Sequence, residues 1–269
     1  MIKVDKAIKL DPKHLNHLLD QISEIDDNDS EVIFDFSETK WISSELAVFL
    51  GAIAISLIDK GYIIKFSPMK KTIESVFSRN GFFKIHGLRE KVEDFNQTII
   101  PYRIFQSSEY EKIDEYLIDD VFDKINEHVE EEKLEIVTSC IFEILHNIEE
   151  HSGSKKVLVC GQWYPQKKKL ALAIADIGVS IPIKINDYLD NPLSNWEAVH
   201  WATNKGNSTK KIPDGGLGLY ELKQSFIEHG QLKILSNNVL LCYNSVESLY
   251  SELNHPFPGT LLHLEFEIE

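Results

Sequence analysis

The sequence predicts an α/β protein made of two domains, residues 1–98 and 131–269, joined by residues 99–130. In the first hundred residues, short apolar strand patterns alternate with helix patterns, which is typical of an α/β layer. The second part contains a long hairpin pattern between helical stretches. With 269 residues, the chain is long enough for two domains that each bury a core.

The elements of the first domain follow from local signals. Ile2 to Ile8 has a strand pattern, and Asp11-Pro12 is a cap and first-turn signal for a helix to about Ile25. The next predicted elements are a strand at Val32 to Phe36, a strongly apolar helix at Ser44 to Asp59, a strand at Tyr62 to Phe66, and a helix from about Lys70 to Arg79 that Asn80-Gly81 ends.

The linking segment is predicted to hold one strand and one acidic helix. The strand is Thr98 to Phe105, where Pro101 indicates a sheet edge or a strand start. The helix runs from roughly Glu109 to His128 and leads into a further helix that carries Phe142 to Ser152.

The second domain is predicted from period-two and turn patterns. A hairpin alternates apolar residues on both arms around Pro165-Gln166 and ends at Asp176. The later elements are a helix at Leu193 to Thr203 with Trp196 and Trp201 as core anchors, a polar segment at Asn204 to Asp214, a glycine turn that opens a helix at Asp214 to Phe226, and a closing strand from Pro256 to Glu269.

Composition limits the classes of protein that this chain can belong to. The hydrophobic content of 43% and charged content of 26% are typical of a globular protein. No apolar run approaches the ~20 residues of a membrane helix, and the first residues lack the apolar core of a signal peptide, so we expect a cytoplasmic protein. Cys140, Cys160 and Cys242 show no metal or disulfide spacing and are expected to be core thiols.

The net charge of −15 is concentrated after Tyr110, where 14 Lys and Arg stand against 26 Asp and Glu. Most of the excess falls in the predicted helices between Glu111 and Glu150. An acidic surface argues against direct binding to nucleic acid or to a membrane. The acidic surface is therefore expected to bind a protein partner, which includes a second copy of the chain. The alternative is that these acidic helices only form a solvated face.

The segment Phe142 to Ser152 carries the first candidate site. Glu143, Asn147 and His151 are spaced i, i+4, i+8 and so lie along one face of a helix. A carboxylate, an amide oxygen and an imidazole can polarise water, ligate Mg²⁺ and contact a phosphate. The alternative interpretation is a polar, solvated helix face.

Two later segments favour the site over the solvated face. ALAIADIGVSIP, Ala171 to Pro182, is an apolar strand that leads into Asp-Ile-Gly, and DGGLGLYELKQSF, Asp214 to Phe226, is a glycine turn before a helix. In this order, the three segments resemble the Bergerat-fold (GHKL) ATPases, which include gyrase, a heat-shock chaperone ATPase, histidine kinases and MutL. The resemblance covers roughly Glu130 to Glu269 and implies an α/β sandwich that binds ATP with Mg²⁺.

The resemblance also implies roles for the residues of the first two segments. Asn147 matches the asparagine that ligates Mg²⁺, and Glu143 matches the general base, as in the anti-sigma-factor kinases. His151 matches a position near the phosphates, with a packing role equally open. Asp176 matches the carboxylate that accepts the exocyclic amine of adenine, and Gly178 the glycine beside the base.

The remaining expected contacts come from the lid, the glycine turn and the closing strand. The polar segment Asn204 to Asp214 stands at the place of the mobile ATP lid. Thr260 matches the threonine that bonds near the adenine, beside Asp176. The expected phosphate contacts are Lys205, Ser208, Thr209, Gly215, Gly216, Leu217, Gly218 and Leu219.

The first domain has a resemblance of its own. The pattern from Val32 to Phe66, followed by Ser75 to Phe83, resembles the STAS domain of anti-sigma-factor antagonists. Ser43 and Ser44 match the position of the phosphorylated serine in that family, in a turn one residue shorter. The alternative is that one of these serines only caps the following helix.

These resemblances predict a slow ATPase that acts as a nucleotide-dependent conformational switch in protein regulation. One alternative is a serine/threonine kinase of the anti-sigma-factor type that acts on a STAS partner, and another is a non-catalytic ATP-binding module. A complete histidine kinase is not expected, because His128 is too close to the site to belong to a separate dimerisation hairpin. We also expect the first domain to pack near the second and the nucleotide to change their docking.

Overall fold

Two β-sheets and their helices form the computed structural model, which describes residues 1–26, 28–124, 131–209 and 218–267. One sheet has three parallel strands and the other has five antiparallel strands. The expected mixed α/β class is therefore confirmed. In the described ranges, no helix combines the length and the apolar character that a membrane span requires.

The first sheet has the strand order β1-β2-β3. Asp11 caps the first helix as predicted, because its side chain accepts the backbone N–H of His14 at 3.1 Å. The elements of this part are β1 (Ile2–Lys3), α1 (Pro12–Ser23), β2 (Glu31–Asp35), α2 (Ala47–Asp59), β3 (Ile63–Phe66), α3 (Lys71–Arg79) and α4 (Phe82–Ile85).

Two predicted elements of this part are shorter than expected. The strand expected at Ile2 to Ile8 is limited to β1, and Ala7 makes only an isolated bridge with Trp41. The helix expected from Ser44 begins instead as a 3-10 turn, Ser44–Leu46, and becomes an α-helix only at Ala47. Residues of this turn contact the second sheet, since Ser44 lies beside Cys160 and Glu45 beside His263.

The second sheet has the strand order β4-β5-β6-β8-β7. β4 is an edge strand of this sheet, as Pro101 predicted. An edge strand tolerates proline, which has no N–H to donate to a neighbouring strand. The elements of this part are β4 (Ile99–Gln106), α5 (Tyr110–Tyr116), α6 (Glu131–Asn147), β5 (Lys156–Tyr164), β6 (Lys169–Asp176), α7 (Ile181–Tyr188), α8 (Asn195–Ala202), α9 (Gly218–His229), β7 (Gly230–Asn244) and β8 (Ser248–Glu267).

Several features of the second part differ from the predictions. The acidic helix is α-helical only as far as Tyr116 and continues as a π-helical turn at Leu117–Phe122, while His128 lies outside the described residues. The helix α7 was not predicted. Trp196 and Trp201, expected to be core anchors, are both half-buried; Trp196 packs against the core between the sheet and α6, whereas Trp201 lines a cavity.

The five-stranded sheet is covered on both faces. Alternate residues of its strands pack either with α6 and α9 or with α2 and the parallel sheet. In β8, for example, Leu262 packs in the core on the side of α6 and α9, while Leu261 packs in the core on the side of α2. In this latter core, Phe49 of α2 also stacks on Phe257, with ring centres 5.5 Å apart. The two parts of the chain therefore share one sheet as a common wall. Cys140 and Cys160 are buried, and Cys242 is half-buried.

The turn Ser43 to Glu45 is buried against this shared wall. Ser44 is 1% exposed, and its hydroxyl lies 3.6 Å from the Sγ atom of Cys160 in β5. Ser43 stands at the cap position but makes no side-chain cap hydrogen bond, so the expected capping role is not observed. Glu45 lies 3.5 Å from Nε2 of His263 in β8 and accepts the hydroxyl of Tyr164 at 3.4 Å.

Candidate functional site

A cavity of about 380 Å³, which we call the Asp176 cavity, lies on the α6 side of the five-stranded sheet. Its walls come from α6, the end of β6, α7, the start of α9 and β8, so distant segments meet there. A cavity of this volume is in the range of small-molecule sites. Its apolar walls include Val179, Ile181, Trp201, Leu219 and Leu262.

A buried carboxylate stands at the end of β6, where the strand meets the cavity. Asp176 is 2% exposed, and its Oδ1 atom accepts the backbone N–H of Gly178 at 2.7 Å. Burial raises the pKa of Asp176 from 3.8 to about 7, although the Gly178 N–H and the Ser152 hydroxyl both lower it. The side chain is therefore a buried acceptor with unused hydrogen-bonding capacity.

Gly178 is required by a close backbone approach. A β-carbon at this position would overlap the carbonyl group of Ser152, and the next residue, Val179, donates its N–H to that same oxygen at 2.7 Å. Gly178 itself is not part of the cavity wall. The glycine thus fixes the end of β6 against the turn that follows α6, and this contact orients Asp176.

Thr260 faces Asp176 across the sheet as its register partner between β6 and β8. Its hydroxyl lies 2.8 Å from the hydroxyl of Ser236, which accepts the backbone N–H of Ile181 at 2.9 Å. Ser236 and Thr260 are both buried. Thr260, expected beside Asp176, therefore lines the cavity next to the carboxylate.

Glu143 and Asn147 lie one helical turn apart on α6 and both line the cavity. The Nδ2 atom of Asn147 donates to the backbone oxygen of Glu143 at 2.7 Å and to its Oε1 atom at 2.8 Å. Both donors of the amide are therefore directed at Glu143. The Oδ1 atom of Asn147 remains as an oxygen ligand for a hard cation.

Metal binding at this position would depend on oxygens supplied by a ligand. In the described parts of the chain, no group of three or more His, Cys, Asp or Glu side chains could hold a metal ion. Mg²⁺ is commonly bound through one or two protein oxygens together with the phosphates of a substrate. The single amide oxygen of Asn147 fits that mode of binding, and it does not fit a metal held by the protein alone.

Gly218, the first described residue of α9, lies against Glu143. A β-carbon on Gly218 would overlap the carboxylate of Glu143, so a side chain at this position would require that carboxylate to move. The carboxylate is thus fixed between Asn147 and the start of α9. Leu219 also lines the cavity, whereas Gly215, Gly216 and Leu217 lie outside the described residues.

His151 reaches the cavity by a route that the sequence did not predict. The α-helical ridge ends at Asn147, and a π-helical turn, Ile148–Ser152, carries His151. Its Nδ1 atom lies 3.3 Å from the hydroxyl of Thr209. Burial, followed by the positive charge of Lys184, lowers the pKa of His151 and favours the neutral imidazole.

The polar segment after α8 supplies part of the cavity mouth. Ser208 and Thr209, expected at the phosphates, line the cavity, but Lys205 is exposed and is not part of the wall. Its Nζ atom lies 5.8 Å from the ring centre of Tyr220 instead. In this conformation, Lys205 does not contribute to the site.

Several residues that form or support the cavity were not predicted from the sequence. Lys184 is on the unpredicted helix α7, for which Pro182 after Ser180 was an available start signal. Trp201 and Asn207 line the cavity, and Ser236 supports Thr260 from β7. No sequence signal identifies Ser236, because its role depends on the pairing of β7 with β8.

Comparison with known proteins gives no further assignment, since no family model and no curated protein matches this chain. The functional interpretation rests on the cavity. It combines an apolar slot with a buried carboxylate at one end and a carboxylate–amide pair at another. Such a site can bind a flat polar ring, together with a cation that brings a negatively charged group.

Proposed function

We propose that the Asp176 cavity binds ATP with Mg²⁺ and that the chain is a slow ATPase that acts as a nucleotide-dependent switch. In this proposal, residues 131–269 form a Bergerat-fold ATP-binding domain and residues 1–98 form a STAS-like domain. The observation that carries the proposal is the presence of buried Asp176 in the same cavity as the Glu143–Asn147 pair.

The buried carboxylate favours adenine over guanine. Ionised Asp176 can accept the exocyclic amine of adenine, whereas the carbonyl oxygen of guanine would leave two acceptors facing each other without a proton. The hydroxyl of Thr260, its register partner, provides a second polar group at this end. The apolar walls suit the faces of a purine ring.

The other end of the cavity supports binding of phosphates with a cation. Asn147 would hold Mg²⁺ through Oδ1, since its amide nitrogen is directed at Glu143. The bound cation would neutralise phosphate charge. Glu143 is held at this end by Asn147 and Gly218, and its carboxylate is the base that would accept a proton from an attacking water.

Calorimetry with ATP, GTP and Mg²⁺ tests the binding proposal. Wild type should bind ATP at least about tenfold more tightly than GTP. Asp176→Asn should remove ATP binding, and Asn147→Ala should remove its dependence on Mg²⁺. The exposed Asp187→Asn on α7 is a matched control that should bind as wild type does. Wild-type affinity in both site variants would refute the proposal.

Radiolabelled ATP separates the possible outcomes of binding. Release of labelled phosphate that is lost in Glu143→Ala but kept in the exposed control Glu149→Ala supports the ATPase. Label transferred to a STAS partner would favour the serine/threonine kinase instead. The absence of any turnover would leave a non-catalytic ATP-binding module.

The shared sheet supports the switch within this proposal. In β8, Leu262 lines the Asp176 cavity, while the next residue, His263, points to the opposite face and lies 3.5 Å from Glu45. A shift of β8 on nucleotide binding would therefore reach the first domain directly. Ser43 and Ser44 are buried in that same contact, so neither is accessible as an internal phosphate acceptor while the two parts are docked.

A further inference from the structure

A second cavity, which we call the Lys91 cleft, lies where the two parts of the chain meet. Its volume is about 410 Å³, and none of its lining residues belongs to the Asp176 cavity. The principal lining residues are Arg79, Lys91, Asp94, Ile99, Asp120 and Lys124. They come from the end of α3, the segment before β4, the start of β4 and the π-helical turn after α5 with the residues that follow it.

In the part of the chain that the structure describes, the two lysines of the cleft lie beyond ion-pair distance of the carboxylates. Within the described ranges, neither Lys91 nor Lys124 forms an ion pair with a carboxylate. Lys91 is exposed, but partial desolvation lowers its pKa, and the next largest cause is the positive charge of Arg103. Lys124 lowers it further, so cations are brought together here in a chain of net charge −15.

The arginines of this region also keep donors available. Arg79 reaches Asp94 through a single contact of 3.5 Å, and Arg103 reaches Asp120 only at 4.0 Å. Neither pair is bidentate, whereas a guanidinium group has five N–H donors.

The carboxylates of the cleft do not neutralise the lysines. Asp94 is occupied because its Oδ2 atom accepts the backbone N–H of Ile99 at 2.8 Å. Asp120 is directed to Arg103, and Glu93 is exposed at the rim of the cleft. The pKa of Lys91 remains lowered although both aspartates oppose that shift. An anion beside Lys91 would meet the positive charges of Arg103 and Lys124 as well as the ammonium group of Lys91 itself.

We propose that the Lys91 cleft is a binding site for a small phosphate monoester, whose phosphate group contacts Lys91, Lys124 and Arg79. Arginine and lysine together are the side chains that recognise phosphate oxygens. Ile99 and Pro101 supply an apolar surface, and the volume of the cleft leaves room for the organic part of the ester. Because residues from both parts of the chain line the cleft, the ligand holds these parts together.

Calorimetry on the full chain, with glucose 6-phosphate and inorganic phosphate as probes at constant ionic strength, tests this site. Both probes should bind wild type, the ester more tightly. The double variant Lys91→Ala/Lys124→Ala should bind each at least about tenfold more weakly, because two charge-assisted hydrogen bonds are lost. Lys91→Arg/Lys124→Arg keeps the charges and should stay within about threefold of wild type.

A control separates this site from the Asp176 cavity. Lys184→Ala removes the lysine of that cavity and should leave the affinity for both probes unchanged. Tighter binding of inorganic phosphate than of the ester would mean that the cleft recognises a free anion and would overturn the assignment to a monoester. Absence of binding to wild type, or loss of binding in Lys184→Ala with retention in the double alanine variant, would overturn the site itself.

Discussion

The carboxylate of Glu143 lies directly against the Cα atom of Gly218, so that α6 and α9 meet through a carboxylate and a residue without a side chain. Asn147 holds the same carboxylate from the other side at 2.8 Å. The position of Glu143 is therefore set by its two neighbours. Any side chain at position 218 must displace it.

Gly218→Ala should consequently weaken nucleotide binding through Glu143. The added methyl group forces the carboxylate towards the cavity, and we expect ADP to bind about tenfold more weakly. When Glu143 is already alanine, the methyl group of Ala at position 218 has space. Adding Gly218→Ala to Glu143→Ala should therefore change the affinity for ADP by less than about threefold. Calorimetry on the four variants gives the coupling energy. An equal loss in both backgrounds would show that the helix start, and not the contact with Glu143, is responsible.

The raised pKa of Asp176 predicts that adenosine binds more tightly as the pH increases. Only the ionised carboxylate accepts the exocyclic amine, and burial raises the pKa of this group to about 7. Affinity for adenosine should therefore rise about tenfold between pH 6 and pH 8. Adenosine is the suitable probe because it has no phosphate that titrates in this range. A flat pH profile for wild type would contradict the prediction.

The same pKa makes a prediction about stability without ligand. The folded pKa of Asp176 is above its ordinary value of 3.8, so its stabilising contribution is full below pH 4 and is lost as the pH rises through about 7. The loss is on the order of 4 kcal/mol if the whole shift is expressed. Denaturant unfolding of wild type and Asp176→Asn should show that the variant gains relative stability from pH 5 to pH 8. A constant difference would mean that the carboxylate is not desolvated.

The burial of Glu45 predicts the opposite dependence on pH. Burial alone would raise the pKa of Glu45, but the hydrogen bond and charge of His263, together with hydrogen bonds from the Glu45 backbone and the Ser43 side chain, outweigh burial, and the pKa is lowered. The contribution of Glu45 is thus present above its ordinary pKa of 4.5 and is lost as the pH falls through the lower, folded value. Glu45→Ala should cost ~3 kcal/mol at pH 7, where a buried partner is left unpaired.

Chemical denaturation at pH 7 and at pH 3 measures this effect. The difference between wild type and Glu45→Ala should shrink at the lower pH. The exposed Glu38→Ala is the matched control, and its free energy of unfolding should stay within ~0.5 kcal/mol of wild type. If Glu45→Ala also changes the free energy of unfolding by no more than ~0.5 kcal/mol, the pair of Glu45 with His263 does not stabilise the contact between the first domain and β8.

Local sequence signals predicted the elements that local interactions determine. The Asp11 cap and the hairpin of β5 and β6 were predictable because each depends on neighbours within a few residues or on two strands joined by a short turn. The burial of both faces of these strands was not expected from the alternating pattern. The placement of Glu143 and Asn147 in one cavity also follows from helical spacing. These features required no knowledge of the packing between distant segments.

The rest of the site depends on tertiary contacts. The π-helical turn that carries His151, the support of Thr260 by Ser236 and the burial of Glu45 against β8 are set by segments far apart in the sequence. Lys205 was expected at the phosphates because of its position, but its ammonium lies near Tyr220. Sequence spacing alone does not determine where a flexible lysine points.

The last prediction is that nucleotide binding reaches the first domain through β8. Thr260 and Leu262 of β8 line the Asp176 cavity on one face of the sheet. The neighbouring residue His263 contacts Glu45 on the opposite face. Binding at one face should therefore alter the protection of the opposite face, because a strand moves as a unit in a close-packed sheet. Hydrogen exchange with and without ADP should show slower exchange in residues 204–209, at the cavity mouth, and a change in α2.

Asp176→Asn in the presence of ADP is the control and should show neither effect. Glu45→Ala should keep the protection of residues 204–209 on binding ADP but lose the change in α2, since the link to His263 is removed. If wild type gains protection only in residues 204–209, the Asp176 cavity and the first domain are not coupled. Equal changes in α2 for wild type and Glu45→Ala would instead mean that the coupling passes through the apolar contact of Phe49 with Phe257.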